Sequence, residues 1–180
     1  MKKFLISAAL LAAAAVPGIA SATAAPGPVS GTVTVNGTVA ARCQFTTGTA
    51  TITIPELSDP ATGNLLASTV NGQSANLVGW CNGTTSTMTV NASPILNAGT
   101  APTGFTNRVD YTATATAHPA AGAVSATDGS ADSPTAGSAA TVGVFTSQIE
   151  VGLSGATSAA AKLLAGAYTG QVLVTLTPGL

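Results

Sequence analysis

Residues able to do chemistry are few in this chain. Its one histidine, His118, precedes Pro119 in a stretch of small and polar residues. A Ser-His-Asp system needs its imidazole fixed by a buried carboxylate, which such a stretch is poorly placed to supply. The six acids, Glu56, Asp59, Asp110, Asp128, Asp132 and Glu150, are scattered, with no spacing that forces two carboxyls together for general acid–base work. Asp128 and Asp132, in Asp-Gly-Ser-Ala-Asp, offer weak calcium ligation at best. A hard cation wants six or more oxygens, so they read as solvated turn residues. No G-x-S-x-G, P-loop or G-x-G-x-x-G arrangement occurs. Asn36, Asn82 and Asn91 each begin a glycosylation acceptor pattern, which is common in a chain this rich in Thr and Asn. The expectation is a protein that is not an enzyme, with no cofactor and no metal site.

The remaining reactive groups are Cys43 and Cys81, 38 residues apart. An even count in an exported chain reads as one disulfide, a metal or redox pair being the alternative. Export is read from the start of the sequence. Met1-Lys2-Lys3, an apolar run from Phe4 to Val16 and a Pro17-Gly18 break have the charge, length and order of a secretory leader. That run is too short to span a bilayer. Small residues at 20, 22 and 24 fit a cleavage site, giving residues 1–24 as leader. Without Lys2 and Lys3, only Arg42, Arg108 and Lys162 stand against six acids. A chain so poor in positive charge has no electrostatic footprint for nucleic acid or an anionic membrane.

The elements that would position these residues are strands. From Val29 to Phe45 apolar and polar residues alternate for 17 positions, the pattern of a strand with one buried face. One strand that long would span about 58 Å, far beyond ordinary strands of roughly 3 to 10 residues. The stretch therefore reads as two elements in series, the first with more apolar face than its own domain can cover. Asn36-Gly37 also permits a hairpin, which would send Val33 and Val35 to one face and Val39, Ala41 and Cys43 to the other. Running straight through keeps all of them together. Further strands are expected near 50–54, 65–70, 75–81, 87–90, 109–117 and 142–153, with a last one carrying Tyr168, Val172, Val174 and Leu176 on one face. Residues 55–63 and 91–105 read as connections, 118–140 as a flexible excursion, and 156–164 as one or two helical turns. This rhythm is that of an all-β sandwich.

The chain resembles the archaic chaperone-usher pilus subunits that share the spore coat protein U domain. The resemblance rests on VSGTVTVNGTVAARC ahead of the first Cys, WCNG around the second, the Thr-rich STMTV after it, and the final G-x-Y-x-x-x-V-x-V-x-L from Gly166 to Leu176. It covers most of residues 25–180. The chain departs from the pattern in ending Thr177-Pro178-Gly179-Leu180 and in the length of 118–140.

The resemblance implies an immunoglobulin-like sandwich, residues 38–180, that lacks its last strand, preceded by a donor-strand extension, residues 25–37. A neighbouring subunit would fill the open groove in donor-strand complementation. It implies Val29, Gly31, Val33 and Val35 as donor side chains, and Val39, Phe45, Tyr168, Val172, Val174 and Leu176 as the acceptor groove. The implied partners are copies of the chain or related pilins, a periplasmic chaperone and an outer-membrane usher. The implied location is the cell surface, reached through the periplasm, in a pilus or coat that supports adhesion or biofilm formation. The alternative is a self-complete secreted sandwich that binds a ligand or carbohydrate, which exposed aromatic residues on one face would favour.

Overall fold

Alternation along the chain becomes ladders wherever the apolar side has a sheet to face. A computed structural model describes residues 27–180, and the expected leader lies outside the described residues. The chain divides into two units, Met1–Thr38 and Val39–Leu180. In the first, residues 27–38 carry no helix or strand, and Val29, Val33 and Val35 are exposed.

The second unit is an all-β sandwich. Its strands are β1 (Cys43–Thr47), β2 (Ser74–Cys81), β3 (Thr87–Asn97), β4 (Phe105–Thr106), β5 (Arg108–Ala117), β6 (Val124–Gly129), β7 (Ala140–Thr141), β8 (Phe145–Thr157), β9 (Lys162–Leu163) and β10 (Tyr168–Thr177). One layer runs β1-β2-β8-β5-β6 and the other β10-β3, with β7 and the start of β5 along the far side of β3. These ladders are antiparallel, and β4 pairs with β9 in parallel as a separate two-stranded piece. β5 shows why the sequence builds sheet here. Val109, Tyr111, Ala113, Ala115 and Ala117 are buried, while the β-branched threonines between them stand on the other face. Met88, Val90 and Ala92 of β3 and Phe145, Ile149, Val151 and Leu153 of β8 complete the core around them.

Cys43 and Cys81 form a disulfide and lie opposite each other in the β1–β2 ladder. Closing a loop of 38 residues contributes about 4 kcal/mol in the chain-entropy account. Asn82, next in the chain, extends that pairing with its side chain. Its Oδ1 accepts from Arg42 N at 2.6 Å, and its Nδ2 donates to Ala40 O at 3.1 Å.

Five sequence expectations are corrected, the first being 50–54, which lies in no strand. The segment 91–105 is not all connection, because β3 continues to Asn97 against β10, absorbing Pro94 where two of its residues oppose Gly170. The stretch 118–140 contains β6, a 3₁₀ turn at Ser130–Asp132 and the beginning of β7. Residues 156–164 hold the end of β8 and β9 rather than helical turns. Finally, 65–70 is a bridge at Leu65 and a 3₁₀ turn at Ala67–Thr69, not a strand.

Candidate functional site

The side chains that sequence reasoning treated as catalytic candidates do not converge. His118 is exposed, and its backbone N–H donates to Ser147 Oγ at 3.4 Å. Among the described residues no three of His, Cys, Asp and Glu gather as a metal set would. Asp128 is not a solvated turn residue: it is buried, and its Oδ2 accepts from Ala92 N at 2.7 Å. Asp132 is exposed.

What the structure does leave chemically unfinished is backbone. β10 pairs with β3 on one side and with no other strand among the described residues, and β1 likewise pairs only with β2. A free edge offers a row of unpaired N–H and C=O groups to an added strand. Here the edge is also apolar on its inner face. Tyr168, Val172 and Leu176 of β10 pack on the core yet stay half-exposed, as does Phe45 of β1, while Val174 between them is buried. Gly79 of β2 lets the two edges approach. A methyl group there would stand 3.2 Å from Leu176 Cδ1 and 3.3 Å from Phe45 Cδ1, tighter than ordinary contact.

Five of the six residues expected in the groove are thus brought to the two open edges. Val39 is not among them. It is exposed and precedes the ladder, which starts only at Cys43. The sequence also gave no groove role to Ile52 and Ile54. They alternate with exposed Thr51 and Thr53 and pack half-buried on the core, but the segment belongs to no ladder. Their period-2 pattern was visible; that it would lack a hydrogen-bonded neighbour was not.

No family model matches the chain, and neither a curated protein nor a solved structure matches it.

The carboxyl-terminal residues close one end of this edge. Thr85 Oγ1 donates to Leu180 O at 2.7 Å, and Gly179 N donates to Ser86 Oγ at 3.3 Å. A Cβ at Gly83 would run into the Gly179 carbonyl and one at Gly179 into Thr85, so neither position has room for one. Pro178, which has no N–H to offer a ladder, follows the last residue of β10.

Tyr111 stabilises the middle of β10 from within the core. Its hydroxyl donates to Ser93 O at 2.8 Å and lies 3.2 Å from Gln171 O. Burial, with Asp128 nearby, pushes the phenol up to about 12, so it holds these carbonyls as a neutral donor.

Proposed function

We propose that the chain is a structural subunit of a surface pilus or coat that polymerises by donor-strand complementation. The observation that carries this is the pairing of two unfinished features in one chain. An apolar-faced edge of β10 has no neighbour strand among the described residues, and residues 29–35 have strand alternation, exposed valines and no ladder. Adding a strand to the edge would supply ladder bonds along β10 and bury Val29, Val33 and Val35, each worth roughly 1.5 to 3 kcal/mol of transfer free energy. A contact of this kind joins two different surfaces, so repeating it makes an open chain of subunits. On this reading a chaperone would cover the edge before assembly, and the usher would exchange it for the next subunit.

A self-complete carbohydrate-binding sandwich has less support. The outward face of the layer containing β1, β2 and β8 carries a single aromatic, Trp80, opposite Gln44 and Thr146. One half-exposed indole is a small stacking platform.

The test compares thermal unfolding and size-exclusion behaviour of two versions of the chain starting at Thr38, one ending at Leu180 and one carrying residues 28–37 after a flexible carboxyl-terminal linker. The grafted version is expected to be monomeric and to melt cooperatively at higher temperature. Equal melting of both would defeat the proposal.

A further inference from the structure

We propose that Asn36 is a site of spontaneous deamidation and that pairing of the extension protects it, so that the modification accumulates on copies left unpaired. The protection rests on the donor-strand reading; the site does not.

Three Asn-Gly pairs occur in the chain, Asn36-Gly37, Asn71-Gly72 and Asn82-Gly83. Such a pair is labile because glycine carries no side chain to shield its own backbone nitrogen and its backbone turns readily. The nitrogen attacks the Asn side-chain carbonyl. A bond forms between Gly N and Asn Cγ, the Cγ–Nδ2 bond breaks, and the side-chain nitrogen leaves as ammonia with the proton given up by the backbone amide. Water then opens the five-membered imide at one carbonyl or the other, giving aspartate or isoaspartate. Water is the only co-reactant, and nothing is oxidised or reduced. The reaction needs an amide side chain free to fold back and a glycine N–H free of any partner.

The fold denies this freedom to two of the pairs. Asn71 Oδ1 accepts from Ala156 N at 2.9 Å, and Gly72 N donates to Leu153 O at 2.9 Å. Asn82 is held at both ends of its amide, by Arg42 N at 2.6 Å and Ala40 O at 3.1 Å, and cyclisation would break both bonds. Asn36 differs. It is exposed and lies in no helix or strand, and among the described residues neither its side chain nor Gly37 N makes a hydrogen bond. A Cβ at Gly37 would meet nothing within 4 Å, so the ring has room to close.

Laying the extension in a ladder would fix its backbone in the extended form and keep the Gly37 nitrogen from turning back. Left unpaired, the same residues age. Either product places a carboxylate at position 36, and isoaspartate also routes the main chain through Cβ, adding one atom between Val35 and Gly37 and breaking the alternation there.

The experiment incubates the full chain at mildly alkaline pH, dilute and concentrated, separates monomer from polymer by size exclusion, and digests each with trypsin. Cleavage after Arg42 and Arg108 puts Asn36 in one peptide and both Asn71 and Asn82 in another, and mass spectrometry reads amide converted to acid at each. In the monomer Asn36 is expected to convert at least about tenfold faster than Asn71 or Asn82, which must first open locally. In urea with reductant the three rates are expected to converge. Equal rates in the folded monomer, or Asn71 or Asn82 ahead of Asn36, would overturn the site. Conversion at Asn36 is expected to be about tenfold lower in polymer than in monomer; equal conversion in the two would overturn the protection and leave the site standing. A concentrated sample that forms no polymer would count against the donor-strand reading and the protection together, while the dilute sample still decides the site.

Discussion

The two strands of the smaller layer, β3 and β10, face opposite ways at their outer edges and meet opposite fates. Along the far edge of β3 every few residues find a partner of a different kind. Ile95 and Leu96 pair with β5, Ala92 N–H meets the Asp128 carboxylate, Val90 O accepts from Gly137 N at 2.9 Å, and Thr87 and Met88 pair with β7. Asn91 Nδ2 adds a bond to Pro134 O at 2.8 Å. Among the described residues the outer edge of β10 has no such series. Hydrogen-bonding capacity can thus be met piecemeal by loops and side chains, as it is along β3.

The largest expected effect comes from covering the bare edge. Grafting residues 28–37 should raise the melting temperature by roughly 5 to 10 °C, equivalent to about 2 to 3 kcal/mol in a domain of this size. Calorimetry of the grafted and ungrafted versions reads the shift.

Next is damage to the closed edge. Asp128→Ala should leave Ala92 N–H buried and unpaired at a cost of about 1 to 3 kcal/mol in urea unfolding, with Asp128→Asn costing less because an acceptor oxygen remains. Equal stability of Asp128→Ala and the parent would mean that the edge is not closed by this carboxylate.

A pH series should then separate two supports. Tyr111 holds its proton more tightly folded than unfolded, so its contribution is complete below about pH 10 and is lost as pH rises toward about 12. Asp110 behaves oppositely. The Arg108 guanidinium, hydrogen-bonded at 2.8 Å, and Ser130 hold its carboxyl below the usual 3.8. Its contribution is present at neutral pH and fades as pH falls below about 4. Tyr111→Phe should shrink the alkaline loss, leaving the part owed to Tyr168, whose phenol burial also raises, and leave the acid limb unchanged.

The smallest effect belongs to Thr175→Lys on the outward face of β10. Stability of the isolated subunit should move by less than about 0.5 kcal/mol, while a charge on the edge strand should suppress polymer formation seen by light scattering. Unimpaired polymerisation would place the contact elsewhere.

The sequence showed the strands whose buried side is large and regular. β2, β5, β8 and β10 all follow runs in which Val, Leu, Ile, Tyr or a file of alanines alternates with polar residues. It hid β6 and the strap after it, because the residues that face inward there are Ala126, Asp128 and Ser130, which carry little hydropathy and are held by hydrogen bonds. Pro94 and Asn97 disguised the second half of β3 in the same way. Residues 29–35 teach the converse. Their alternation is perfect, yet Val29, Val33 and Val35 are exposed. Alternation records which face is suited to burial, and whether it is buried depends on a partner strand that no local pattern contains.

The sulfur bridge acquires a mechanical meaning once the extension is gripped by another body. Tension applied through residues 27–38 meets first the Asn82 bonds to Ala40 and Arg42 and then Cys43, the first residue of a five-residue strand that would otherwise peel from β2 one rung at a time. Because Cys43 is covalently tied to Cys81, the load passes at that first rung into β2, which is flanked by ladders on both sides. The residues between the two cysteines, including the half-buried Ile52 and Ile54, are left out of the path of force. Under such a load the short strand at the entrance of the domain would work as an anchored cleat, and reducing the bridge would convert it into a zipper.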